Sequence, residues 1–198
     1  MKLLLIASAL AGSFFLSTTA RPPAPQDPQQ MQEMMKKAEK YTQPGKHHEA
    51  LKRFLGKWTT ETRFVMGQQK SPVEKGRAEW SWLVEGRWLQ SSVTGTMMGR
   101  PMTAHGWLGY DNFKQSYVET RVSNMDTAMT HSEGDMTKDG KALITYGTLD
   151  EYLNGEHDKM VRYVWRFASA DKIVLEVHDL AIGEEFTQVI EIVYQRAQ

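Results

Sequence analysis

Short turn signals recur along the chain from Trp58 to its C-terminus. Asp139-Gly140 and Asn154-Gly155 are the strongest, because glycine accepts the positive φ angle that tight hairpin turns require. Between the turns, apolar and polar residues alternate as they do in half-buried β-strands. The pattern predicts about ten strands, at residues 57–66, 74–84, 87–98, 102–110, 115–122, 129–136, 142–152, 159–168, 172–180 and 184–196.

The connections between these strands are short, and short connections join antiparallel neighbours. The default topology is therefore an up-and-down meander. An open sheet of about ten strands would expose two long edges, and closure of the sheet removes both. We predict an all-β fold, a closed antiparallel up-and-down β-barrel of about ten strands, preceded by short N-terminal helices. A two-layer β-sandwich is the alternative.

Residues 1–20 have the layout of a secretory signal peptide. Lys2 precedes an apolar run over residues 3–16, and small residues follow it up to Ala20. The apolar run is shorter than the roughly 20 residues that a membrane span needs. We expect cleavage after Ala20, a periplasmic or secreted protein, and no integral membrane span in the mature chain.

Three segments follow the signal peptide. Residues 21–30 contain Pro and polar residues, a composition typical of an extended linker. Residues 31–55 form a helical segment, in which Pro44-Gly45 separates an amphipathic methionine-bearing helix from a short helix over residues 47–55. We interpret the His47-His48 pair as a solvated helix start. Residues 56–198 form the β-barrel domain.

The composition excludes several classes of function. The chain has no cysteine, so it has no disulfide, thiol nucleophile or thiolate metal site. Its 24 basic side chains balance 24 acidic ones, and no basic patch indicates nucleic-acid binding. No Gly-x-Ser-x-Gly, phosphate-loop or dinucleotide-binding motif occurs. We predict no metal site, and the sequence identifies no cofactor.

Alternation predicts which side chains of the early strands face the barrel interior. A two-residue turn at Glu85-Gly86 leaves Trp88 outside and places four residues on the inner wall, where they would contact a ligand. These residues are Trp80, Trp82, Leu89 and Val93. The turn implies the cross-strand pairs Val84 with Arg87, Trp82 with Leu89, Trp80 with Ser91 and Ala78 with Val93.

Later strands supply inward candidates with polar ends. Tyr117, Glu119 and Arg121 share one face of a strand, and we predict that they orient a polar group of the ligand. For Glu119 and Arg121, a solvated strand face is an equal alternative, because a slip of one residue turns a whole strand face outward. The same reasoning makes inward candidates of His105, Trp107, His131, Glu133, Arg162 and Arg166.

Trp58 and Arg196 have a structural role in this interpretation. The last strand of a closed barrel returns beside the first, so Arg196 can lie over the indole of Trp58. Such a cation-π contact is worth about 0.5 to 2 kcal/mol. We predict that the pair closes one end of the barrel.

Gly56-Lys57-Trp58 resembles the Gly-x-Trp signature of lipocalin-like and fatty-acid-binding-like barrels, in which a late Arg covers the Trp. A longer pattern resembles the bacterial family catalogued as domain of unknown function 1579, over about residues 44–196. This pattern consists of Leu55-Gly-Lys-Trp58, Glu85-Gly-Arg-Trp-Leu-Gln90, Gly95-Thr-Met-Met-Gly99, Gly106-Trp-Leu-Gly-Tyr-Asp-Asn112 and Tyr117. The resemblance implies a calycin-type, lipocalin-like barrel and carries no established activity.

Two classes of function remain. We expect a noncatalytic module that binds an apolar or amphipathic small molecule in the barrel. The alternative is an enzyme that uses the same cavity, with His105, His131 or Glu119 as acid or base. A haem-binding barrel similar to the nitrobindin-like group is a further alternative, and it would require His178 as the iron ligand. Two groups of methionines are candidate thioether ligands for Cu(I), although methionine more often fills apolar gaps. They are Met31, Met34 and Met35 in the helical segment and Met97, Met98 and Met102 in another segment.

Overall fold

The computed structural model describes residues 27–151, 155–180 and 186–197. The predicted signal peptide and most of the predicted linker lie outside the described residues. The chain divides into two compact units, residues 1–38 and residues 39–198. The barrel belongs to the second unit.

Helices occupy the N-terminal part of the described chain. Helix α1 spans Pro28–Thr42, helix α2 spans Lys46–Ala50, and a 3-10 turn follows at Leu51–Arg53. The prediction that α1 starts at residue 31 is wrong, because Oδ1 of Asp27 accepts a hydrogen bond from the backbone N–H of Gln29 at 2.9 Å and Pro28 occupies the first turn. Within the described residues, no helix is both long and apolar enough to span a bilayer.

Strands make up the rest of the second unit. Their bounds are β1 Gly56–Met66, β2 Gln69–Lys70, β3 Glu74–Val84, β4 Trp88–Met97, β5 Arg100–Asp111, β6 Ser116–Ser123, β7 Met129–Met136, β8 Ala142–Glu151, β9 Glu156–Ser169, β10 Lys172–Asp179 and β11 Gln188–Arg196. Apart from the two-residue β2, the ten strands occupy the predicted segments to within a few residues.

The strands form a closed antiparallel meander. Each long strand pairs with its neighbours along the chain, and β1 pairs with both β3 and β11. The closing pair runs from Trp58 opposite Arg196 to Phe64 opposite Ile190. The closed barrel of ten long strands is confirmed, and the sandwich alternative is wrong. The short β2 only folds back on the end of β1.

The β3–β4 hairpin differs from the prediction at its turn. Trp82 pairs with Leu89, Trp80 with Ser91 and Ala78 with Val93, as expected. Val84 pairs with Trp88 rather than with Arg87, because the register shifts between Trp82 and Val84. The shift lies next to the turn, so it leaves the inward faces of both strands unchanged.

The two ends of the barrel are different. At one end, which we call the closed end, α2 and the 3-10 turn pack into the barrel. We call these two elements, together with Phe54, the plug. At the opposite end, which we call the open end, β1 runs into β2 and the β4–β5 turn passes through Met98 and Gly99. The core is aromatic toward the closed end, where Trp58 and Trp165 are each only 1% exposed.

Candidate functional site

Aromatic packing fills the closed end of the barrel. The centre of the Phe54 ring lies 5.0 Å from the ring centre of Trp80, 5.2 Å from that of Trp165 and 5.3 Å from that of Phe167. The hydroxyl of Tyr117 donates to the carbonyl of His47 at 3.1 Å and ties the plug to β6. The plug therefore blocks access to the interior from this end.

The histidine pair of α2 belongs to the plug, so the prediction that it is a solvated helix start is wrong. His48 is only 5% exposed, and its Nδ1 accepts a hydrogen bond from the backbone N–H of Gly45 at 3.0 Å. The ring of His47 stacks on Tyr110 at 4.2 Å. Burial lowers the pKa of both imidazoles, and at His47 the positive charge of Lys46 lowers the pKa further. The neutral rings suit this packed position.

Trp58 and Arg196 meet at the rim of the closed end. The guanidinium of Arg196 lies 4.2 Å from the centre of the Trp58 ring, and its Nη1 donates to the carbonyl of Leu55 at 2.8 Å. Its Nε donates to Asp171 at 3.0 Å. The indole N–H of Trp58 donates to the carbonyl of Phe54 at 2.8 Å. Arg196 thus connects Leu55, which directly follows the plug, with β1 and the β9–β10 turn.

Gly56 permits this arrangement for two reasons. Its φ angle is +114°, a region that residues with a side chain rarely adopt. A Cβ at this position would also lie 2.7 Å from Nη1 of Arg196. The glycine of the Gly-x-Trp segment is therefore needed for the backbone path and for the space that the guanidinium occupies.

Two adjoining cavities lie above the plug. The first, which we call the mid-barrel cavity, is about 160 Å³, and the second, which we call the mouth cavity, is about 290 Å³. Met97, Ser123 and Met125 belong to the walls of both. A ligand entering from the open end would therefore pass the two methionines to reach the middle of the barrel.

A buried ion pair lies at the wall of the mid-barrel cavity. Glu119 is 2% exposed, and its Oε1 accepts hydrogen bonds from Nε of Arg121 at 2.8 Å and from Nη2 of Arg121. The indole N–H of Trp165 donates to the other oxygen, Oε2, at 3.2 Å. The two residues face inward, which excludes the alternative of a solvated strand face.

Arg121 keeps hydrogen-bonding capacity toward the cavity. Its side chain is 27% exposed, and its Nη1 makes no hydrogen bond to another described residue. The guanidinium lies 4.7 Å from the ring centre of Tyr163 and 5.1 Å from that of Trp165. Burial alone would lower the pKa of Arg121, but the carboxylate of Glu119 and the neighbouring phenols raise it above the usual value. Arg121 is therefore a fixed cation.

Tyr194 contributes a second polar group to the same cavity. Its side chain is 4% exposed and lines the mid-barrel cavity, and its hydroxyl makes no hydrogen bond to another described residue. Burial raises the pKa of Tyr194 to about 12, so the hydroxyl is neutral and can donate a hydrogen bond.

Gly106 makes room for the ion pair. A Cβ at this position would lie 2.9 Å from Oγ of Ser91 and 3.3 Å from Cγ of Arg121. Strand β5 therefore has no side chain at the position next to which the Arg121 side chain crosses the interior.

The predicted ligand-wall residues all face inward but lie at different depths. Trp80, Val93 and Arg121 line the mid-barrel cavity. Leu89 and Tyr117 are at most 1% exposed and belong to the packed core toward the plug, so they line neither cavity. Trp82 is half-buried against the same core. Glu119 lines neither cavity, but its hydrogen bonds to Arg121 hold the guanidinium at the wall of the mid-barrel cavity.

Several polar residues that we predicted to face inward lie on the outer surface instead. On β5 the inward residues are Ala104, Gly106 and Leu108, so His105 and Trp107 point outward. The inner positions next to these residues are small, Ala104 and Gly106 on β5 and Ser132 and Gly134 on β7, and the larger side chains on the outer face therefore resembled core positions. On β7, His131 forms an exposed network with Glu133 and Thr120. Arg162 and Arg166 also lie outside, since Val161, Tyr163 and Trp165 fill the inner face of β9.

These positions bear on both alternative functions. His131 lies on the outer face, so it cannot serve as acid or base in the cavity. His105 borders the mid-barrel cavity, but its side chain lies on the exposed face of β5, opposite to that of Ala104 and Gly106, so the imidazole does not point into the cavity. His178 also lies on the outer face, where its Nδ1 pairs with Thr187 at 3.0 Å and its Nε2 with Glu176 at 3.4 Å. An iron ligand inside the barrel would have to come from elsewhere, and the prediction of His178 as that ligand is wrong.

Metal-ligating side chains do not cluster in the described parts of the chain. No group of three or more His, Asp or Glu residues there could hold an ion. Met97 and Met102 line the mid-barrel cavity together with Met125, whereas Met98 is 48% exposed at the mouth. Met97, Met98 and Met102 therefore do not surround one common point.

Three aromatic residues around the ion pair were not among the predicted site residues. Tyr163 and Trp165 belong to the alternating series Val161, Tyr163, Trp165 and Phe167, which was a readable inward face. Tyr194 follows Ile190 and Ile192 in a similar series. No local signal marks Met125, because it lies outside the strands, between β6 and β7.

Comparisons with known proteins identify the family and the fold. The family model described as protein of unknown function, DUF1579, matches residues 43–196. The S-type phycobiliprotein lyase CPES from Guillardia theta has a TM-score of 0.54 at 10% identity, with 81% of this chain and 96% of that chain covered. Rv2717c from M. tuberculosis has a TM-score of 0.50 at 12% identity, with 79% of this chain and 100% of that chain covered. No curated protein matches the chain.

Proposed function

We propose that this protein, which belongs to the DUF1579 family, binds an apolar or amphipathic small molecule inside its barrel. One observation carries the proposal. The mid-barrel cavity is blocked by the plug at one end and adjoins the mouth cavity at the other. Combined, the two cavities fall within the range of about 300 to 1,000 Å³ that small-molecule sites occupy.

The walls of the two cavities favour an apolar chain. Trp80, Val93 and Leu175 line the mid-barrel cavity, and Phe64 and Ile190 line the mouth cavity. Burial of apolar surface contributes roughly 25 cal/mol per Å². An apolar chain that runs from the open end into the barrel would therefore supply most of the binding free energy.

Methionine side chains suit the route of entry. Met97 and Met125 border both cavities, and Met98 is half exposed at the mouth. Unbranched thioether side chains adapt to ligands of different shape at low cost. We propose that they open for a ligand and then pack against it.

The likeness to a phycobiliprotein lyase supports the barrel fold only, because the identity of 10% is too low to carry a ligand or an activity. The described geometry favours binding over catalysis. Among the described residues, no carboxylate lines the mid-barrel cavity, and that of Glu119, which is bound to Arg121, already accepts three hydrogen bonds.

Native mass spectrometry of protein purified from its own host tests the proposal. We expect a co-purifying molecule with an apolar chain. The variant Ala104→Phe fills the mid-barrel cavity and should lose this molecule, whereas Thr103→Phe, on the exposed face of the same strand, should retain it. Equal retention by both variants would show that the molecule binds elsewhere.

We also propose that the protein is exported, on the basis of the signal-peptide layout of residues 1–20. N-terminal sequencing of the protein from its host should give a chain that begins at Arg21. A cytoplasmic protein that retains Met1 and Lys2 would contradict this proposal.

A further inference from the structure

We propose that the ligand carries an uncharged carbonyl group, as an amide, ketone, aldehyde or ester does, and that this group binds Arg121 and Tyr194 while the apolar chain points toward the open end. This inference rests on the proposed function of the barrel and adds the chemical class and the orientation of the ligand. A carboxylate is the obvious partner for a buried arginine, and the charges around the cavity argue against it.

The charges of the mid-barrel site balance each other. Arg121 donates both Nε–H and Nη2–H to a single oxygen of Glu119, which is 2% exposed. The pair is therefore already neutral. A ligand carboxylate on the free side of the guanidinium would leave one uncompensated negative charge in a buried site, and such charges are strongly unfavourable.

The free polar groups of the mid-barrel site can donate hydrogen bonds. Nη1 of Arg121 can only donate, and the hydroxyl of Tyr194 has no other described partner. Two donors at one cavity wall match an acceptor with two lone pairs, as in a carbonyl oxygen. A hydrocarbon would leave both donors unpaired, which costs free energy in a buried site.

The charges at the mouth also favour an uncharged ligand. Asp126, Asp150, Glu151 and Asp179 line the mouth cavity, and Lys159 is the one basic residue that lines it among the described residues. Lys159 is already paired with Glu151 at 2.7 Å and with Asp179. The negative mouth disfavours the entry of anions and leaves uncharged molecules unaffected.

The experiment compares octanamide with octanoate, which have the same chain and nearly the same head-group shape. Binding is followed by isothermal titration calorimetry and by tryptophan emission, to which Trp80 and Trp165 of the cavity wall contribute. The pH is about 8, where a carboxylic acid is ionised. We expect the wild-type protein to bind octanamide at least about tenfold more tightly than octanoate.

The variant Glu119→Gln removes the compensating charge and leaves Arg121 as an unpaired cation. We expect it to reverse the preference, so that octanoate binds more tightly than octanamide. Glu133→Gln removes one negative charge from the outer face of a neighbouring strand and serves as the matched control, with no change in preference. Circular dichroism checks that both variants fold.

The outcomes separate the inference from the function on which it rests. A wild-type protein that binds octanoate as tightly as octanamide overturns the inference and leaves the proposed barrel ligand in place. A protein that binds neither probe overturns both. The wild-type comparison decides the matter even where Glu119→Gln does not fold.

Discussion

The closed and open ends of the barrel are built from the same ten strands, but their interiors differ. At the closed end, Leu51, Phe54 and Trp58 are at most 1% exposed, and the ring of Phe54 packs against those of Trp80 and Trp165. At the open end, Met98 is 48% exposed and the mouth cavity separates the opposing walls. The barrel therefore has its stabilising contacts at one end and its accessible volume at the other. Changes at the closed end should lower stability, and changes around the cavities should lower ligand affinity.

The largest expected effect is at Trp58. Trp58→Ala removes a fully buried ring and the hydrogen bond to Phe54, and we expect the free energy of unfolding to fall by about 3 to 5 kcal/mol. Met98→Ala at the open end should change it by less than about 1 kcal/mol, because the side chain is half exposed. Urea denaturation measures both. Similar losses in the two variants would contradict the division between the ends.

A smaller effect is expected at Arg196. Arg196→Met removes the cation-π contact and the hydrogen bonds to Leu55 and Asp171, which together are worth about 1 to 3 kcal/mol. Arg196→Lys keeps the charge but lacks the planar fork, so it should restore only part of the loss. A melting temperature of Arg196→Met equal to that of the wild type would show that the contact does not stabilise the closed end.

Acid should weaken the plug. Burial holds the pKa of His47 and of His48 below the ordinary value of 6.5, so the unfolded chain takes up protons first as the pH falls. The contribution of these rings to stability is complete above pH 6.5 and is lost as the pH falls from there toward their lowered values in the folded state. Burial also lowers the pKa of His178, so this residue likewise lowers the stability of the protein as the pH falls.

The double variant His47→Asn, His48→Gln isolates the plug, because it leaves His178 in place. We expect its free energy of unfolding to depend less on pH than that of the wild type in urea denaturation between about pH 7.5 and pH 5.5. His131→Asn, on the exposed outer network, is the control and should behave as the wild type does. Identical pH profiles for the double variant and the wild type would refute the role of the plug histidines.

The smallest expected effect on stability is at the cavity wall. Tyr194→Phe keeps the ring and removes only the free hydroxyl, so the free energy of unfolding should change by less than about 1 kcal/mol. The affinity for octanamide should fall by about threefold to tenfold, as expected for the loss of one neutral hydrogen bond. Calorimetric titration gives the affinity. Unchanged binding would exclude the hydroxyl from the site.

The sequence predicted the strands and their closure better than it predicted the plug. Glycine turns and alternation were sufficient to predict the strands, and the meander then brought Trp58 and Arg196 onto neighbouring strands. The plug was harder to predict, because a five-residue helix has too few positions to reveal a buried face, and His48 was read as solvated. A polar residue in a short helix carries little information about its tertiary contacts.

The cavity depends on strand faces that alternation alone does not distinguish. On β5 the inward position beside Arg121 is Gly106, so the larger outward residues His105 and Trp107 resembled the core face. On β6 the inward pair Glu119–Arg121 was indistinguishable from a solvated pair, because its burial depends on Trp165, which lies 46 residues away. Such contacts depend on the closure of the barrel and are not encoded within a strand.

Hydrogen exchange with and without octanamide tests most directly the claim that the barrel is closed at one end and takes its ligand through the other. We predict that the ligand slows exchange in the β4–β5 turn and around Met125, which border the mouth, and leaves the already protected residues 46–58 unchanged. Protection that appears at residues 46–58, with none around the mouth, would contradict the account.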